Sequence, residues 1–273
     1  MSFDWNQVES QKTDHRWVRV TRSNPCPICG RPDWCKIRDD GKMVCCMRVD
    51  SGRRSDYAGY LFEHDGQPLD VPQSDEPEVN ADLVYEQIKR DHDPEKFAEL
   101  CEGIGLMPAS VLKIGGRYSP FYKALVFPTW SIGGRVTGLR TRYKWGAKRT
   151  LKWSKAGLFA HCLFQYDPNR PLVVVEGPTD TAASYQLGLQ TVGRPGCEGY
   201  LNMVYEFALL CNGQVFVVGD DDKAGRRGAD RLAEMLVNDC HLDAVAKVAP
   251  EGDLRKWVQG GATPQDAEQW LYE

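Results

Sequence analysis

The last third of this 273-residue chain alternates short apolar runs with helix-forming segments. The apolar runs are rich in valine and show no polar alternation, which is typical of strands that are buried on both faces of a sheet. They predict strands at 172–176, 190–193, 214–219 and 243–249, and the segments between them predict helices at 179–187, 200–210 and 225–238. This order of strand and helix indicates an α/β domain over 171–273 with a central, largely parallel sheet. Two further helices, at 254–258 and 264–271, are expected to pack against it.

The segment before this domain has a mixed pattern. Apolar spacing predicts two short helices between Ala81 and Glu102, and a third that begins at Pro108. Two β-rich runs follow at 124–130 and 134–142, and Ser131-Ile132-Gly133 between them favours a hairpin. Residues 81–170 are therefore expected to form an α+β subdomain.

The front of the chain, 1–64, is rich in cysteine and turn residues and has few long apolar periods. Residues 65–80 are acidic and punctuated by proline, which is typical of a flexible linker between domains. We therefore expect a multidomain chain, with a small N-terminal unit that depends on a metal for its stability.

The composition of the chain indicates the cellular compartment in which it is expected. No apolar run is long enough to cross a bilayer, and the N-terminus has neither the basic start nor the apolar centre of a signal peptide. The ten cysteines are therefore expected in a reducing compartment, the cytoplasm, where they ligate metal or are buried as thiols.

The formal net charge of −4 conceals a strong local asymmetry. Between Gly103 and Tyr166 there is no Asp or Glu, against eleven Lys and Arg. Seven of these basic residues lie from Arg140 to Lys155, with Tyr143, Trp145 and Trp153 among them. Interleaved cations and aromatic rings predict a track for single-stranded nucleic acid.

The cysteines of the front unit have the spacing of a zinc site. Cys26-Pro27-Ile28-Cys29-Gly30 is a metal-binding knuckle, Cys35 follows it, and Cys45 and Cys46 lie beyond the next turn. Four of these thiolates would close one tetrahedral zinc site. Cys45 and Cys46 point to opposite faces of any strand, so either one is open as the fourth ligand. Because basic and aromatic residues surround the knuckle, we interpret the unit as a reader of single strands.

Two of the predicted strands end in carboxylates. Glu176 closes the strand at 172–176, and Asp220-Asp221-Asp222 follows the strand at 214–219. The carboxyl ends of parallel strands share one edge of the sheet, where ligands bind in open α/β folds. Converging carboxylates repel one another unless divalent cations lie between them, and oxygen ligands suit Mg²⁺. The pattern therefore indicates a metal-dependent phosphoryl-transfer site.

Together, the knuckle, the linker, the basic segment and the two acidic strand ends resemble the bacterial and phage-type DNA primases over residues 24 to 258. The resemblance implies an N-terminal zinc ribbon of small β structure, a mixed α+β basic subdomain and a Toprim α/β domain. It also implies that Cys46, which precedes Met47-Arg48-Val49, completes the zinc set instead of Cys45. The Toprim pattern falls on Glu176, Asp220 and Asp222, and further acidic positions fall on Asp180 and Asp253.

The implied activity is synthesis of short RNA primers on single-stranded DNA by two-metal nucleotidyl transfer from ribonucleoside triphosphates. Asp180, Asp220, Asp222 and Asp253 would hold Mg²⁺ or Mn²⁺, and Asp221 would point away from them. Glu176 would either join the metal ligands or act as a general base on the attacking hydroxyl.

Basic residues would hold the polyanions. Arg140, Arg142, Lys148 and Lys152 are expected to bind the triphosphate and the template-product backbone, with Arg142 and Lys152 favoured among them. A P-loop is not found in the sequence, so the partner helicase is expected to be a separate protein, in a bacterial or phage-infected cell. Two other functions share the acidic pattern: a Toprim-type nuclease and a catalytically inactive zinc and DNA-binding adaptor.

Overall fold

The structure is a computed structural model that describes residues 17–49, 51–52, 59–64, 79–151, 153–155, 157–160, 166–196, 200–209 and 213–273. The chain divides into two compact units, one that ends at Asn80 and one that runs from Ala81 to Glu273. Among the described residues, no helix has the length and apolar character needed to span a membrane.

The first unit is built on a small antiparallel sheet. Its strands, in sheet order, are β1 (Trp17–Arg19), β2 (Lys36–Arg38), β3 (Met43–Cys46) and β4 (Tyr60–Glu63). Val20, Ile37 and Val44 form its apolar core together with buried cysteines. So small a core provides little hydrophobic stabilisation.

The second unit opens with three helices and an antiparallel sheet. The helices are α1 (Ala81–Arg90), α2 (Pro94–Gly103) and α3 (Pro108–Lys113). The strands, in sheet order, are β5 (Arg117–Ser119), β6 (Ala124–Trp130), β7 (Val136–Arg142) and β8 (Lys148–Thr150). The predicted hairpin is confirmed as the β6–β7 pair, although β7 begins at Val136 and the turn is longer than predicted.

The rest of the second unit is an α/β layer. In chain order it contains β9 (Leu172–Glu176), α4 (Gly177–Gln186), β10 (Thr191–Arg194), α5 (Leu201–Ala208), β11 (Val215–Gly219), α6 (Lys223–Asn238), β12 (Ala244–Val248), a 3-10 turn (Pro250–Gly252), α7 (Leu254–Gln259) and α8 (Pro264–Tyr272). The sheet order is β10-β9-β11-β12, and every neighbouring pair is parallel. The predicted parallel sheet is therefore confirmed.

Alternate side chains of the parallel strands enter two cores. Val173 and Val175 of β9 face the core that contains Ala182 and Ala183 of α4, whereas Val174 faces the core that contains Leu232 of α6. Burial on both faces explains why the valine runs show no polar alternation.

The antiparallel and parallel sheets of this unit share one of these cores. Leu125 and Phe127 of β6 belong to the same cluster as Val173 of β9. Backbone bridges from Trp130 to Leu158 and from Phe159 to Gly193 also join the two layers. As a result, one face of the antiparallel sheet is held beside the carboxyl ends of the parallel strands.

Candidate metal and nucleotide site

Four cysteines of the first unit converge on one point. The Sγ atoms of Cys26, Cys29, Cys35 and Cys46 all lie within 4.8 Å of one another. The Sγ atoms of Cys29 and Cys35 are 3.7 Å apart, and those of Cys35 and Cys46 are 3.9 Å apart. Zn–S bonds of about 2.3 Å in a tetrahedron separate the sulfurs by about 3.8 Å. The geometry therefore fits one zinc ion.

Cys46 belongs to this cluster, and its neighbour Cys45 does not. Cys45 and Cys46 are adjacent in β3, so their side chains leave the strand in opposite directions. Backbone donors accompany the clustered sulfurs: Met47 N–H donates to Cys35 Sγ at 3.4 Å, and Val49 N–H donates to Cys46 Sγ at 3.4 Å. Such donors stabilise thiolates, which are the form that binds zinc.

The acidic residues of the second unit are placed by the ends of strands and the starts of helices. Glu176 is the last residue of β9, and Asp180 lies in the first turn of α4. Asp220 follows β11, Asp222 caps α6, and Asp253 caps α7. All five therefore lie at the edge of the sheet where ligands bind in open α/β folds.

The charge on Asp220 interacts with the other four acids. Burial, followed by the charges of Asp180, Glu176, Asp253 and Asp222, raises the pKa of Asp220 to about 7. A cluster of like charges in a partly dehydrated site is stabilised by protons or by cations. An all-oxygen donor set of this kind fits Mg²⁺ or Mn²⁺.

Asp180 is the most deeply buried of these acids, at 9% exposure. Burial, together with the charge of Asp253, raises its pKa to about 6. The backbone N–H of Arg255 donates to Asp180 Oδ1 at 3.2 Å and opposes that shift. An acid in the first turn of α4 interacts favourably with the helix dipole even when it is exposed to solvent. That interaction alone does not explain why Asp180 is buried and close to the charge of Asp253.

Two of the acids use one carboxylate oxygen as a helix cap. Asp222 Oδ1 accepts from the N–H groups of Ala224 and Gly225 at 2.8 and 2.7 Å. Asp253 Oδ1 accepts from Lys256 N–H at 2.7 Å, and Nη2 of Arg255 lies 3.6 Å from Asp253 Oδ2. The capping bonds fix the orientation of each carboxylate. The cap of Asp222 uses only Oδ1, whereas Oδ2 of Asp253 lies within ion-pair distance of Arg255 and Lys256.

Asp221 lies outside this group, as the sequence predicts. Its Oδ1 accepts from Arg226 Nε at 3.0 Å, which directs the carboxylate to α6.

Three of the predicted phosphate-binding residues share one face of the antiparallel sheet. Arg140 and Arg142 are two residues apart on β7, and Lys148 of β8 pairs directly with Arg142. Arg140 interacts with the charge of Glu176, and Arg142 interacts with Asp180 and Asp253. The charge of Lys148 also lowers the pKa of Asp180. The structure therefore brings these cations and the acids together, whereas Lys152 lies outside the described residues.

Arg142 has an unused hydrogen-bond donor. Burial lowers the pKa of its guanidinium, and the nearby charge of Arg255 acts in the same direction. Within the described part of the chain, its buried Nε has no hydrogen-bond partner. A buried guanidinium donor beside acidic groups is suited to an incoming phosphate oxygen.

Three residues near the acids do not stand out in the sequence. Arg194 is 1% exposed and lies opposite Glu176 in the β9–β10 register. Arg255 contacts both Asp180 and Asp253, and Tyr200 interacts with Arg140. For Arg194, the sequence does offer one signal: an arginine at the end of a buried strand could have marked it as a candidate site residue.

Comparison with known proteins identifies the fold. The sequence matches no family model and no curated protein. The primase fragment of the bacteriophage T7 primase-helicase has a TM-score of 0.54 at 14% identity, covering 94% of this chain and 100% of that one. The E. coli primase catalytic core has a TM-score of 0.57 at 16% identity, covering 70% of this chain and 78% of that one. A DnaG primase catalytic domain bound to ssDNA has a TM-score of 0.56 with the same identity and the same coverages. The chain therefore has the fold of the bacterial and phage-type DNA primases.

Proposed function

We propose that this protein is a DNA primase that synthesises short RNA primers on single-stranded DNA. The observation that supports this most is the cationic face of Arg140, Arg142 and Lys148 beside the acids at the ends of β9 and β11. An enzyme that polymerises nucleotides needs both the acidic residues and the cationic face, since the acids alone would repel a triphosphate. One of the similar structures, a DnaG catalytic domain, has ssDNA bound.

The division of labour follows the predicted domains. Residues 1–64 form a zinc ribbon and 65–80 a linker, while 81–170 form the basic part of the catalytic core and 171–273 a Toprim domain. The ribbon holds a structural zinc ion through Cys26, Cys29, Cys35 and Cys46. Its role is to read the template strand.

The acidic residues form the catalytic half of the site. Asp180, Asp220, Asp222 and Asp253 hold Mg²⁺ or Mn²⁺, which when bound neutralises charge on the triphosphate and on the pyrophosphate that leaves. Glu176 does not use its side chain to cap α4, so its carboxylate is free to join these ligands or to accept the proton of the attacking 3′-hydroxyl.

The basic residues form the other half. The buried Nε of Arg142 donates to a phosphate oxygen, and Lys148, across the strand pair, adds a second positive charge. Arg140 extends the same face along β7, and Lys152 is assigned to this set from the sequence. Together they orient the triphosphate and the template-product backbone over the acids.

Further partners follow from this role. The protein acts in the cytoplasm of a bacterial or phage-infected cell, with a separate replicative helicase that exposes the template.

A single incubation tests the proposal against its alternatives. The protein is mixed with labelled ribonucleotides, Mg²⁺ or Mn²⁺ and single-stranded DNA. Labelled short RNA supports a primase, a shortened DNA strand supports a nuclease, and neither product supports a non-catalytic adaptor.

Substitutions of the acidic residues test whether RNA synthesis depends on them. Asp220→Asn and Asp222→Asn remove charge, and Asn at position 222 retains the capping acceptor of α6. Each is expected to lower synthesis by about a hundredfold or more, as loss of a metal ligand does. Asp221→Asn is the matched control and should keep most of the activity, since its carboxylate pairs with Arg226. Equal activity in all three variants would rule out the metal assignment.

A further inference from the structure

A hollow lies between α2 and the turn that joins β7 to β8. Its volume is about 490 Å³, and the residues that matter here are Lys96, Glu99, Tyr118, Lys123, Lys144 and Trp145. This volume lies in the range of sites for small organic groups, about 300–1,000 Å³. The hollow therefore suits one nucleotide better than a folded partner.

Trp145 offers an aromatic face to this hollow. It is 71% exposed, and its ring stacks on Tyr143 with centroids 4.5 Å apart and an interplanar angle of 24°. The turn is fixed by hydrogen bonds from Tyr143 N–H to Ala147 O and from Gly146 N–H to Tyr143 O, both of 2.9 Å. Tyr143 covers one side of the indole and leaves a preformed surface on which a base can stack.

The charge around the hollow is positive. Lys96, Lys123 and Lys144 line it against a single acid, Glu99. Glu99 accepts from the Nζ atoms of Lys96 and Lys144 at 2.8 and 2.7 Å. These ion pairs hold two ammonium groups in place, and the excess of cations attracts a phosphate backbone.

One wall of the hollow belongs to the sheet that carries the cationic face. Tyr118 of β5 pairs with Leu125, Leu125 pairs with Arg142, and Arg142 pairs with Lys148. Directly paired residues lie on the same face of an antiparallel sheet, so these four form one row. Lys144, in the turn after β7, follows Arg142 by two residues and lines the hollow. The hollow and the cationic face are therefore parts of one basic segment.

We infer that this hollow binds a base of the single-stranded DNA template, stacked on Trp145. The inference rests on the proposed function and deepens it, because it divides the basic segment into a phosphate row that faces the acids and a base-stacking site at its end. Arg149, which pairs with Thr141 on the other face of the sheet, is not in the phosphate row, and its guanidinium lies 5.6 Å from the ring centroid of Tyr143, the residue that supports Trp145.

The test measures binding of fluorescein-labelled oligo(dT) to the full chain by anisotropy, without nucleotides or divalent metal. Trp145→Ala should weaken binding by about fivefold to a hundredfold, the effect of removing one stacked base. Trp145→Phe keeps a ring and should restore most of the affinity. Glu99→Gln frees two lysines and removes the rim acid, so it should tighten binding by about twofold at low salt.

Tyr272→Ala is the matched control, because Tyr272 is 64% exposed on α8. Its affinity for oligo(dT) should equal that of the unaltered chain, and thermal unfolding of each variant confirms that it is folded. Unchanged binding by Trp145→Ala overturns the inference, as does a loss of binding that Trp145→Phe fails to restore. A raised KM for ribonucleotide with unchanged oligo(dT) binding also overturns it, since the hollow would then hold a free nucleotide.

A second measurement separates this inference from the proposed function. Oligo(dT) that carries 5-iodouracil is photo-crosslinked to the chain, and the modified peptide is identified by mass spectrometry. Crosslinking at Trp145 in a protein that makes no primers supports the site and refutes the function. Primer synthesis without crosslinking at Trp145 supports the function and refutes the site.

Discussion

Two features of Asp220 disfavour its charged form in the folded protein: its carboxylate is partly buried, and four other acids interact with it. Burial and the charges of Asp180, Glu176, Asp253 and Asp222 together raise its pKa to about 7. An unfolded chain would return this group to a pKa of about 3.9. Between these values the folded state binds the proton more tightly, so the stability of the metal-free protein falls as pH rises from about 4 to 7.

Asp220→Asn is therefore expected to stabilise the protein in the presence of a chelator at pH 8. After allowance for the solvent screening of a partly exposed group, the gain is about 1 kcal/mol. This corresponds to a rise of about 2–4 °C in melting temperature. The gain should shrink as pH falls towards 4, where the carboxyl group is protonated in both states.

Thermal unfolding followed by circular dichroism measures this difference. Asp221→Asn is the control, because it loses the pairing of Asp221 with Arg226 and relieves no repulsion. Added Mg²⁺ should stabilise the unaltered protein more at pH 8 than at pH 5, and should stabilise Asp220→Asn less. A gain for Asp220→Asn that does not change with pH would contradict the electrostatic cluster.

The site residues differ in how well their positions can be predicted from the sequence. Glu176 and Asp220 are predictable, because residues that end neighbouring parallel strands must share one edge of the sheet. Arg255 is not, because its contacts with Asp180 and Asp253 depend on how α7 packs against α4. Arg194 falls between the two cases: it lies one residue beyond the strand predicted at 190–193, and its burial opposite Glu176 depends on strand order.

Among the elements, β3 shows what strand geometry adds to a cysteine pattern. The adjacent thiols of Cys45 and Cys46 cannot both point to the same metal, and the knuckle alone leaves the choice open. Pairing of Cys45 with Lys36 of β2 sets the faces of the strand, and Cys46 then lies with Cys35. Short strands resist prediction for a related reason: β8 has only Lys148, Arg149 and Thr150, all exposed, and its position comes from pairing with β7.

Cys46→Ser is accordingly expected to lose zinc, whereas Cys45→Ser is expected to keep about one zinc per chain. The two variants differ by one position in the same strand, so each controls for the general effect of replacing a buried thiol. Plasma mass spectrometry of the purified proteins measures the metal, and chelator-induced release measures how firmly it is held. Equal zinc content in the two variants would refute Cys46 as the fourth ligand.

For the whole molecule, the distribution of charge matters more than its sum. A formal net charge of −4 would argue against a nucleic-acid partner, yet the acid-free segment from 103 to 166 supplies the cationic face. The fold explains how both signs coexist: the acids come from the carboxyl ends of the parallel strands, and the cations come from an antiparallel sheet that shares their core. The sequence could predict both sets, but only the shared core brings them to one place.

The unit from Ala81 to Glu273 is expected to fold and to catalyse nucleotide transfer without the first unit. Its two apolar cores contain described residues from 97 to 271 only, and the core of the first unit is confined to residues 20 to 62. A fragment of residues 81–273 should therefore unfold cooperatively, as judged by circular dichroism.

On single-stranded DNA with ribonucleotides and Mn²⁺ this fragment should make RNA without discriminating among template sequences, because the proposed template reader is absent. The full chain with Cys26→Ser and Cys29→Ser should show the same loss of discrimination, while Asp220→Asn in the fragment should abolish synthesis. A fragment that remained unfolded would show that the cores do not suffice, and a folded fragment that still chose templates as the full chain does would place the reader in the catalytic unit.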